Sequence, residues 1–566
     1  MRILRALPIL AVLALPSAAN AGLDFTGCIR DNESSLACTT AAPALGGARG
    51  LALAPGGGQL YVATQDDASL GTFSVDGTTG ALSFARCVQS PSNRNGTSGE
   101  CGASVVEGLQ YDTGIVLSPD GRFAYTGGLR LNVFARDITT GALTYIGCAD
   151  GGAAGSTCTA HNGAFRAGVN GLAISPDGDT VYATSDYLAT VAVPSPSAHH
   201  SALLIFNRDP ATGLLSDGGC AQDAGSPAGC AVVGDGMLGP LGVAVSPDDA
   251  SVYVANRDTN AVSIFKRELA PPHALTPAGC IMQDGSATGC ARTAHGLTRP
   301  TYFAMAPDGK TLTVASDMGS TAVLTRAGDG GLSFSGCIKL NGVAGGSPED
   351  ACANSPVGGT GGEFYVTPDG RNAYSGGRGV NGLAVYARDP STGFLSFVEC
   401  FRDTLVSNVI GCTKAAPALH GVGQMQASAD GHHLYVSVQG QFTNEGGLLT
   451  FARTADKLVT PKPGAPKTIP VPSGAKLTLP LTCPTGITEF CSGDVVVTTA
   501  GAVASRRLAR VKVSRHTEGG KVLVRVRLPR SQRRAGARLH VRITRRNANG
   551  STTRVTRVVR LVKRHR

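Results

Sequence analysis

The sequence predicts an all-β fold: a seven-bladed β-propeller closed by its N-terminal strand, followed by a small β-sandwich. Three observations lead there. Cysteines recur in pairs: Cys28 with Cys38, Cys87 with Cys101, Cys148 with Cys158, Cys220 with Cys230, Cys280 with Cys290, Cys337 with Cys352 and Cys400 with Cys412. Between them lies a Pro-Asp-Gly-type turn at Pro55, Pro119, Pro176, Pro247, Pro307 and Pro368, with a degenerate copy at Ala429-Asp430-Gly431. Charge then divides the chain: residues 460–566 carry 24 Lys+Arg against Glu489, Asp494 and Glu518, a net +21 within a total of +10, so the preceding part is acidic at −11.

In chain order, residues 1–21 read as a signal peptide: Arg2 and Arg5, an apolar run from Ala6 to Leu15, then Ala19-Asn20-Ala21 as a cleavage site. A secreted or extracellular protein, associated with the cell envelope, is therefore expected. No other stretch approaches the roughly 20 apolar residues of a membrane span, and no transmembrane segment is expected. Export makes the even cysteine count readable as disulfides. The competing metal reading finds no Cys-x-x-Cys pair to support it.

Residues 22–459 form the propeller. Successive turn prolines lie 64, 57, 71, 60 and 61 residues apart, a self-similarity that indicates a repeat array. The third unit shows the grammar: Gly171-Leu172-Ala173-Ile174-Ser175, the turn at Pro176, Thr180-Val181-Tyr182-Ala183-Thr184, Ala202-Leu203-Leu204-Ile205-Phe206, and a last run leading to Cys220. Pro at the second turn position suits a tight turn, and the short β-rich runs suit a four-stranded sheet. Closing such sheets into a ring protects their edges. The seventh unit lacks a cysteine-bearing outer strand, and the N-terminus supplies one: Gly22-Leu23-Asp24-Phe25-Thr26-Gly27-Cys28 parallels Gly331-Leu332-Ser333-Phe334-Ser335-Gly336-Cys337. Each disulfide is expected to staple the loop from an outermost strand to the next blade.

Residues 460–473 form a proline-rich linker, extended and semi-rigid. Residues 474–566 form a basic immunoglobulin-like β-sandwich with a disulfide of its own between Cys483 and Cys491. Val522 to Leu528 alternates apolar and basic residues, and Asn549-Gly550 marks a hairpin. The arginine rows suit a polyanion or carbohydrate of the cell envelope, or a merely solvated face. Nucleic acid is a weaker partner, because no aromatic stacking surface accompanies the charge. A monomer is expected.

Val252-Tyr253-Val254-Ala255-Asn256 and Leu60-Tyr61-Val62-Ala63-Thr64, each after a Pro-containing turn, resemble the repeat of YVTN-type surface propellers. The whole Gly22–Thr460 region resembles the lactonase-like seven-bladed family, which includes 6-phosphogluconolactonases. That resemblance implies a ligand- or polymer-binding scaffold, with an extracellular lactone hydrolase acting at the channel mouth as the alternative. A WD-type repeat in the strict sense is absent, since the chain has no Trp.

Residues entering the innermost strands line a propeller's channel mouth, so ligand-binding candidates are sought there. Counting back from each turn gives Arg49, Asp112, Asn170, Arg299, Glu363 and Gln424. Glu363 suits a general base and Arg49 or Arg299 an oxyanion stabiliser, although a water-filled polar channel would use the same residues. His161, His295 and His420 follow second cysteines at unequal offsets from their turns and read as surface-loop histidines, so no metal site is expected. Gly377 to Gly382 fits G-x-G-x-x-G but lies between strands, which makes it a hairpin rather than a dinucleotide site. No G-x-S-x-G elbow and no H-E-x-x-H occurs, and no cofactor is implied.

Overall fold

The computed structural model describes residues 22–563 except 92–100, 102–105, 107, 110–113, 153–155, 162–164, 166–167, 187–200, 224–228, 235, 285–288, 341–351, 356–362, 378–380, 391, 405–411, 413, 441–444, 454–467, 471, 473–475, 483–492, 500–506, 514–520, 533, 535–536 and 547–551. The signal peptide, Asp112, the expected disulfide of Cys483 with Cys491, and Asn549-Gly550 lie outside the described residues. Gly22–Thr454 is one compact unit and Ala455–Arg566 belongs to another. No described helix is long and apolar enough to cross a membrane.

The described residues of Gly22–Thr454 form one four-stranded and six five-stranded sheets, a β-propeller-like arrangement. Sheet three shows the common plan: Gly171–Ile174, Thr180–Ser185, Ala202–Arg208 and Leu215–Gln222 pair antiparallel in chain order. Ser175 Oγ donates to Asp177 Oδ1 at 2.5 Å and Gly178 takes φ +79°, so the Pro-Asp-Gly turn reverses the chain within two residues of each strand. The third and fourth strands slip register between Leu204 and Phe206, and sheets two, four and seven bulge at the matching place before their cysteine.

The expected four strands per sheet need one correction. In six sheets a fifth strand of two or three residues, such as Val232–Val233, pairs parallel to the outermost one. Parallel neighbours ordinarily need a crossover of a dozen or more residues. Here the Cys220–Cys230 disulfide closes the intervening loop and holds the two strands side by side over that short span. Cys28 with Cys38, Cys148 with Cys158, Cys280 with Cys290 and Cys400 with Cys412 close the equivalent loops. Cys87 with Cys101 and Cys337 with Cys352 complete the set, so all seven pairs expected in this unit are disulfides. Closing a loop of this length is worth roughly 2 to 3 kcal/mol in the chain-entropy model.

Sheet seven takes Val422–Ala427, His433–Val438 and Gly447–Arg453 from the end of the unit and its fourth strand, Leu23–Asp31, from the beginning. Thr26 Oγ1 donates to the Thr450 carbonyl at 3.0 Å across that pairing. The first strand of each sheet lies against the first strand of the next, and Val422–Ala427 of sheet seven lies against Ala48–Leu53 of sheet one.

The apolar core lies between sheets. Val262 and Ile264 of sheet four pack with Leu312, Val314 and Leu324 of sheet five, and Leu23 packs with Val385 of sheet six and Val436 of sheet seven. A polar latch crosses the same seams. A tyrosine in the second strand accepts from an arginine ending the third strand of the following sheet: Tyr61 from Arg136 at 2.6 Å, Tyr125 from Arg208 at 2.7 Å, Tyr182 from Arg267 at 3.0 Å and Tyr253 from Arg326 at 2.8 Å. Three of these arginines also hold the turn aspartate of the earlier sheet, Asp120, Asp177 and Asp248. Burial pushes the Tyr125 and Tyr182 hydroxyls up to about 12, so each stays protonated, and Tyr125 donates in turn to the Gly213 carbonyl at 2.9 Å. A hydrogen bond to a charged group contributes about 1.5 to 3 kcal/mol.

In the C-terminal unit, Thr468–Pro470, Thr552–Val562, Arg538–Arg546, Gly493–Thr499 and Arg507–Val513 form one sheet, and Lys476–Thr482 pairs with Lys521–Arg527 in another. Thr468–Pro470, read from sequence as linker, runs parallel to Thr552–Val562. Val526, Leu539, Val541 and Val559 are buried while Arg525, Arg527, Arg538 and Arg560 are exposed, the alternation of a sheet with one solvated face.

Candidate functional site

The seven first strands set the positions of the candidates. Arg49 lies on Ala48–Leu53 of sheet one, and Gln424 lies on Val422–Ala427 of sheet seven beside it. Two hydrogen bonds tie Ala48–Leu53 to sheet seven: Gln424 Oε1 accepts the Leu51 N–H at 2.7 Å, and Ser437 Oγ, on His433–Val438, donates to the Arg49 carbonyl at 2.7 Å. Gly423 belongs to this contact, since a Cβ there would come within 2.7 Å of Ser437 Oγ and 3.1 Å of the Arg49 carbonyl oxygen. Glu363 immediately precedes Phe364–Val366 of sheet six, where its carbonyl accepts the Gly376 N–H at 3.2 Å.

These three candidates converge. With its oxygen occupied by Leu51, the Gln424 side chain is left its amide N–H groups, and it hydrogen-bonds the Glu363 carboxyl. Burial pushes Glu363 up to about 7, against the opposing pull of the Arg49 charge and the Gln424 bond. Arg49 Nη1 donates to Gln65 Oε1 at 2.9 Å, which fixes the guanidinium by a neutral partner; among the described residues no acid is in direct contact with it. A fourth member, Tyr302 on Pro300–Met305 of sheet five, was not singled out from the sequence. Burial raises its hydroxyl, Arg49 lowers it through charge and a hydrogen bond, and Glu363 raises it. The cluster therefore draws on sheets one, five, six and seven.

Arg299 goes elsewhere. Its backbone sits at φ +55° with its N–H donated to Asn260 Oδ1 at 2.8 Å, and its Nη2 lies 3.6 Å from Asp317 Oδ2. Arg257 Nε holds the same carboxylate at 3.1 Å. Burial raises Asp317, Arg257 lowers it and Asp258 raises it further. Asn170 donates its N–H to the Thr184 carbonyl at 2.9 Å at the head of sheet three. Of the candidates, Gln424 and Arg49 are the ones that act on the Glu363 carboxyl among the described residues.

The histidines have separate partners and do not converge. His161 is a correction: it is buried, not on the surface, with Nε2 3.0 Å from the Gly219 carbonyl oxygen and its ring 4.8 Å from that of Phe206. His295 stands edge-on to Phe334, and His420 Nδ1 lies 3.4 Å from Asp403 Oδ2. The G-x-G-x-x-G segment joins Asn372–Gly376 to Gly382–Arg388, which pair antiparallel as a hairpin.

Chemically, the cluster offers a carboxyl that is both acid and base near neutral pH, a fixed cation and a phenol donor. That set suits proton transfer to and from a ligand bearing hydroxyl and carbonyl oxygens. No model of a protein family matches the chain, and no curated protein matches it. Solved structures similar to it include a protein described as a 6-phosphogluconolactonase from Bacteroides uniformis, at 18% identity and TM-score 0.40 over 61% of this chain and 82% of that one. A second, from Bacteroides fragilis, is 17% identical with TM-score 0.42 over 68% and 95%. The periplasmic gluconolactonase of Pseudomonas aeruginosa is 15% identical with TM-score 0.43 over 83% and 99%. With scores this low, the likenesses decide nothing about chemistry.

Proposed function

We propose that Gly22–Thr454 is a closed seven-bladed β-propeller of an exported protein, and that its channel binds a sugar-derived lactone and hydrolyses it. One observation carries this reading: Glu363 titrates near neutrality beside Arg49 and Tyr302, and perturbed carboxyls with a named charge partner cluster at functional sites. In the proposed step Glu363 takes a proton from water as the water oxygen bonds to the lactone carbonyl carbon. Arg49 and the Tyr302 hydroxyl stabilise the negative charge that develops on the carbonyl oxygen. The ring C–O bond then breaks, and protonated Glu363 returns the proton to the departing alkoxide, giving the open hydroxy acid.

The sequential packing of first strands and the pairing of Leu23–Asp31 with Gly447–Arg453 support closure of the ring. Titration of released acid at constant pH, with a panel of five- and six-membered sugar lactones and the full chain, tests the activity. Turnover above the spontaneous rate, lost in Glu363→Gln, is expected; wild-type turnover no faster than the spontaneous rate overturns hydrolysis. A binding scaffold without turnover is the second reading, favoured by the engagement of Arg299 with Asp317 rather than with the Glu363 cluster. Its signature is saturable lactone or sugar binding with no acid release.

The C-terminal unit is proposed as a small immunoglobulin-like β-sandwich that tethers the propeller to an envelope polyanion. The exposed arginines beside buried apolar residues support this. Retention on an acidic polysaccharide column that falls with salt is the expected result.

A further inference from the structure

Sheet four departs from the repeat at two glycine positions at once. The second-strand turn carries a glycine at positive φ in six sheets, Gly57, Gly121, Gly178, Gly309, Gly370 and Gly431, but Asp249 at φ +63° in sheet four. The hairpin between third and fourth strands carries Gly80, Gly141, Gly213, Gly330 and Gly393 at positive φ, but His273 at φ +56° in sheet four. Non-glycine residues are uncommon in this conformation, although Asp and His enter it more readily than most. Both departures face the same place, the turn of sheet three with Asp177 and Asp179.

His273 is 5% exposed, and its Nδ1 lies 3.2 Å from the Glu268 carbonyl oxygen, which can only accept. The neutral ring therefore carries its proton on Nδ1 and points the Nε2 lone pair inward, the arrangement that orients metal-bound imidazoles. Among the described residues Nε2 has no hydrogen-bond partner, and it stands 3.7 Å from Asp179 Oδ2. The donor atoms of Asp177, Asp179 and His273 lie within 4.8 Å of one another. Arg267 pairs with Asp177 at 2.8 Å and Asp249 at 2.9 Å, and Asp249 Oδ1 is buried without a hydrogen bond. Three carboxylates against one guanidinium leave a formal charge of −2.

We propose that this seam binds a zinc-type divalent cation through His273 Nε2 and the carboxylates of Asp177 and Asp179, with Asp249 completing the charge balance. An imidazole nitrogen among the donors selects zinc over calcium, which prefers an all-oxygen shell. The cation joins the turn of sheet three to the hairpin of sheet four.

The test uses the full chain freed of metal with chelator and titrated with zinc chloride by calorimetry, alongside His273→Gly and Asp179→Asn. His273→Gly restores the residue that the other hairpins use, so the fold is retained. Expected are a stoichiometric site in the wild type, at least about tenfold weaker zinc binding in each variant, and a zinc-dependent rise in Tm in the wild type alone. Absence of zinc binding in the wild type, or binding undiminished in both variants, overturns the proposal. So does a melting temperature that responds to pH but not to zinc, which would identify His273 as a protonated partner of Asp179.

Discussion

Arginine stands beside an acid both at the seams and among the first strands, with opposite results. At the seam of sheets two and three, burial raises Asp120, but hydrogen bonds from Ser118 and Arg122 and the charge of Arg208 hold it at about 2. At the next seam burial likewise raises Asp177, and Asp249, Ser175, the Asp179 N–H and Arg267 together bring it well below the ordinary range. Arg49 exerts its pull on Glu363 while hydrogen-bonded to Gln65, and burial prevails, leaving that carboxyl at about 7. The difference lies in the number of direct hydrogen bonds: Asp120 and Asp177 receive several, while Glu363 has the Gln424 bond and the Arg49 charge, which do not offset its desolvation. Asp120 and Asp177 are stabilised by their neighbours and hold sheets together, whereas burial and the adjoining Asp177 push Asp249 of the same seam up to about 6 despite Arg267. Glu363 is kept at a cost to folding, as expected of a group retained for chemistry.

The largest expected effect breaks a seam. Arg267→Ala removes a fully buried cation and leaves Asp177 and Asp249 facing each other, so denaturant unfolding should show a loss of about 3 to 5 kcal/mol. Loss under 1 kcal/mol would mean the seam arginines are dispensable. The second effect has the opposite sign. Because folding raises Glu363 above its ordinary 4.5, its neutral form favours the folded state below that pH, and the contribution is lost as pH rises through about 7. Glu363→Gln should therefore match the wild type at pH 4 and exceed it by about 1 to 3 kcal/mol at pH 8. Equal stability at both pH values would remove Glu363 from the desolvated class.

The smallest effect separates latched from unlatched seams. Sheet one ends its third strand in Val75 where other sheets have arginine, and Tyr435 Oη of sheet seven has no hydrogen-bond partner among the described residues. Tyr61→Phe should cost about 1 to 2 kcal/mol in thermal or denaturant unfolding and Tyr435→Phe close to nothing. Equal losses would show that the hydroxyl's bond to Arg136 is not what matters.

Much of this was legible in the residues. Cysteine pairs and turn prolines recur in the sequence itself, so the disulfides and the antiparallel strands of each sheet could be read from spacing. The likeness of Leu23-Asp24-Phe25 to Leu332-Ser333-Phe334 placed the N-terminal strand in sheet seven. The fifth strands escaped notice because two or three residues such as Thr159–Ala160 carry no alternation. The latches join residues 73 to 85 positions apart, and only units set side by side reveal them. Position relative to the turns brought out Arg49, Glu363 and Gln424, but spacing along a chain cannot say which first strands face one another. Tyr302 and the diversion of Arg299 to Asp317 depend on that packing.

The pairing of Leu23–Asp31 with Gly447–Arg453 has a consequence for biogenesis. Thr26 and Thr450 are separated by 424 residues, so the strand that leaves the ribosome first is seated last. Until then Leu23–Asp31 has no neighbour, and sheet seven ends in an unpaired edge open to another chain. Contacts of such separation are slow to form. Nascent chains stalled short of Gly447 should therefore be the species that most needs a chaperone.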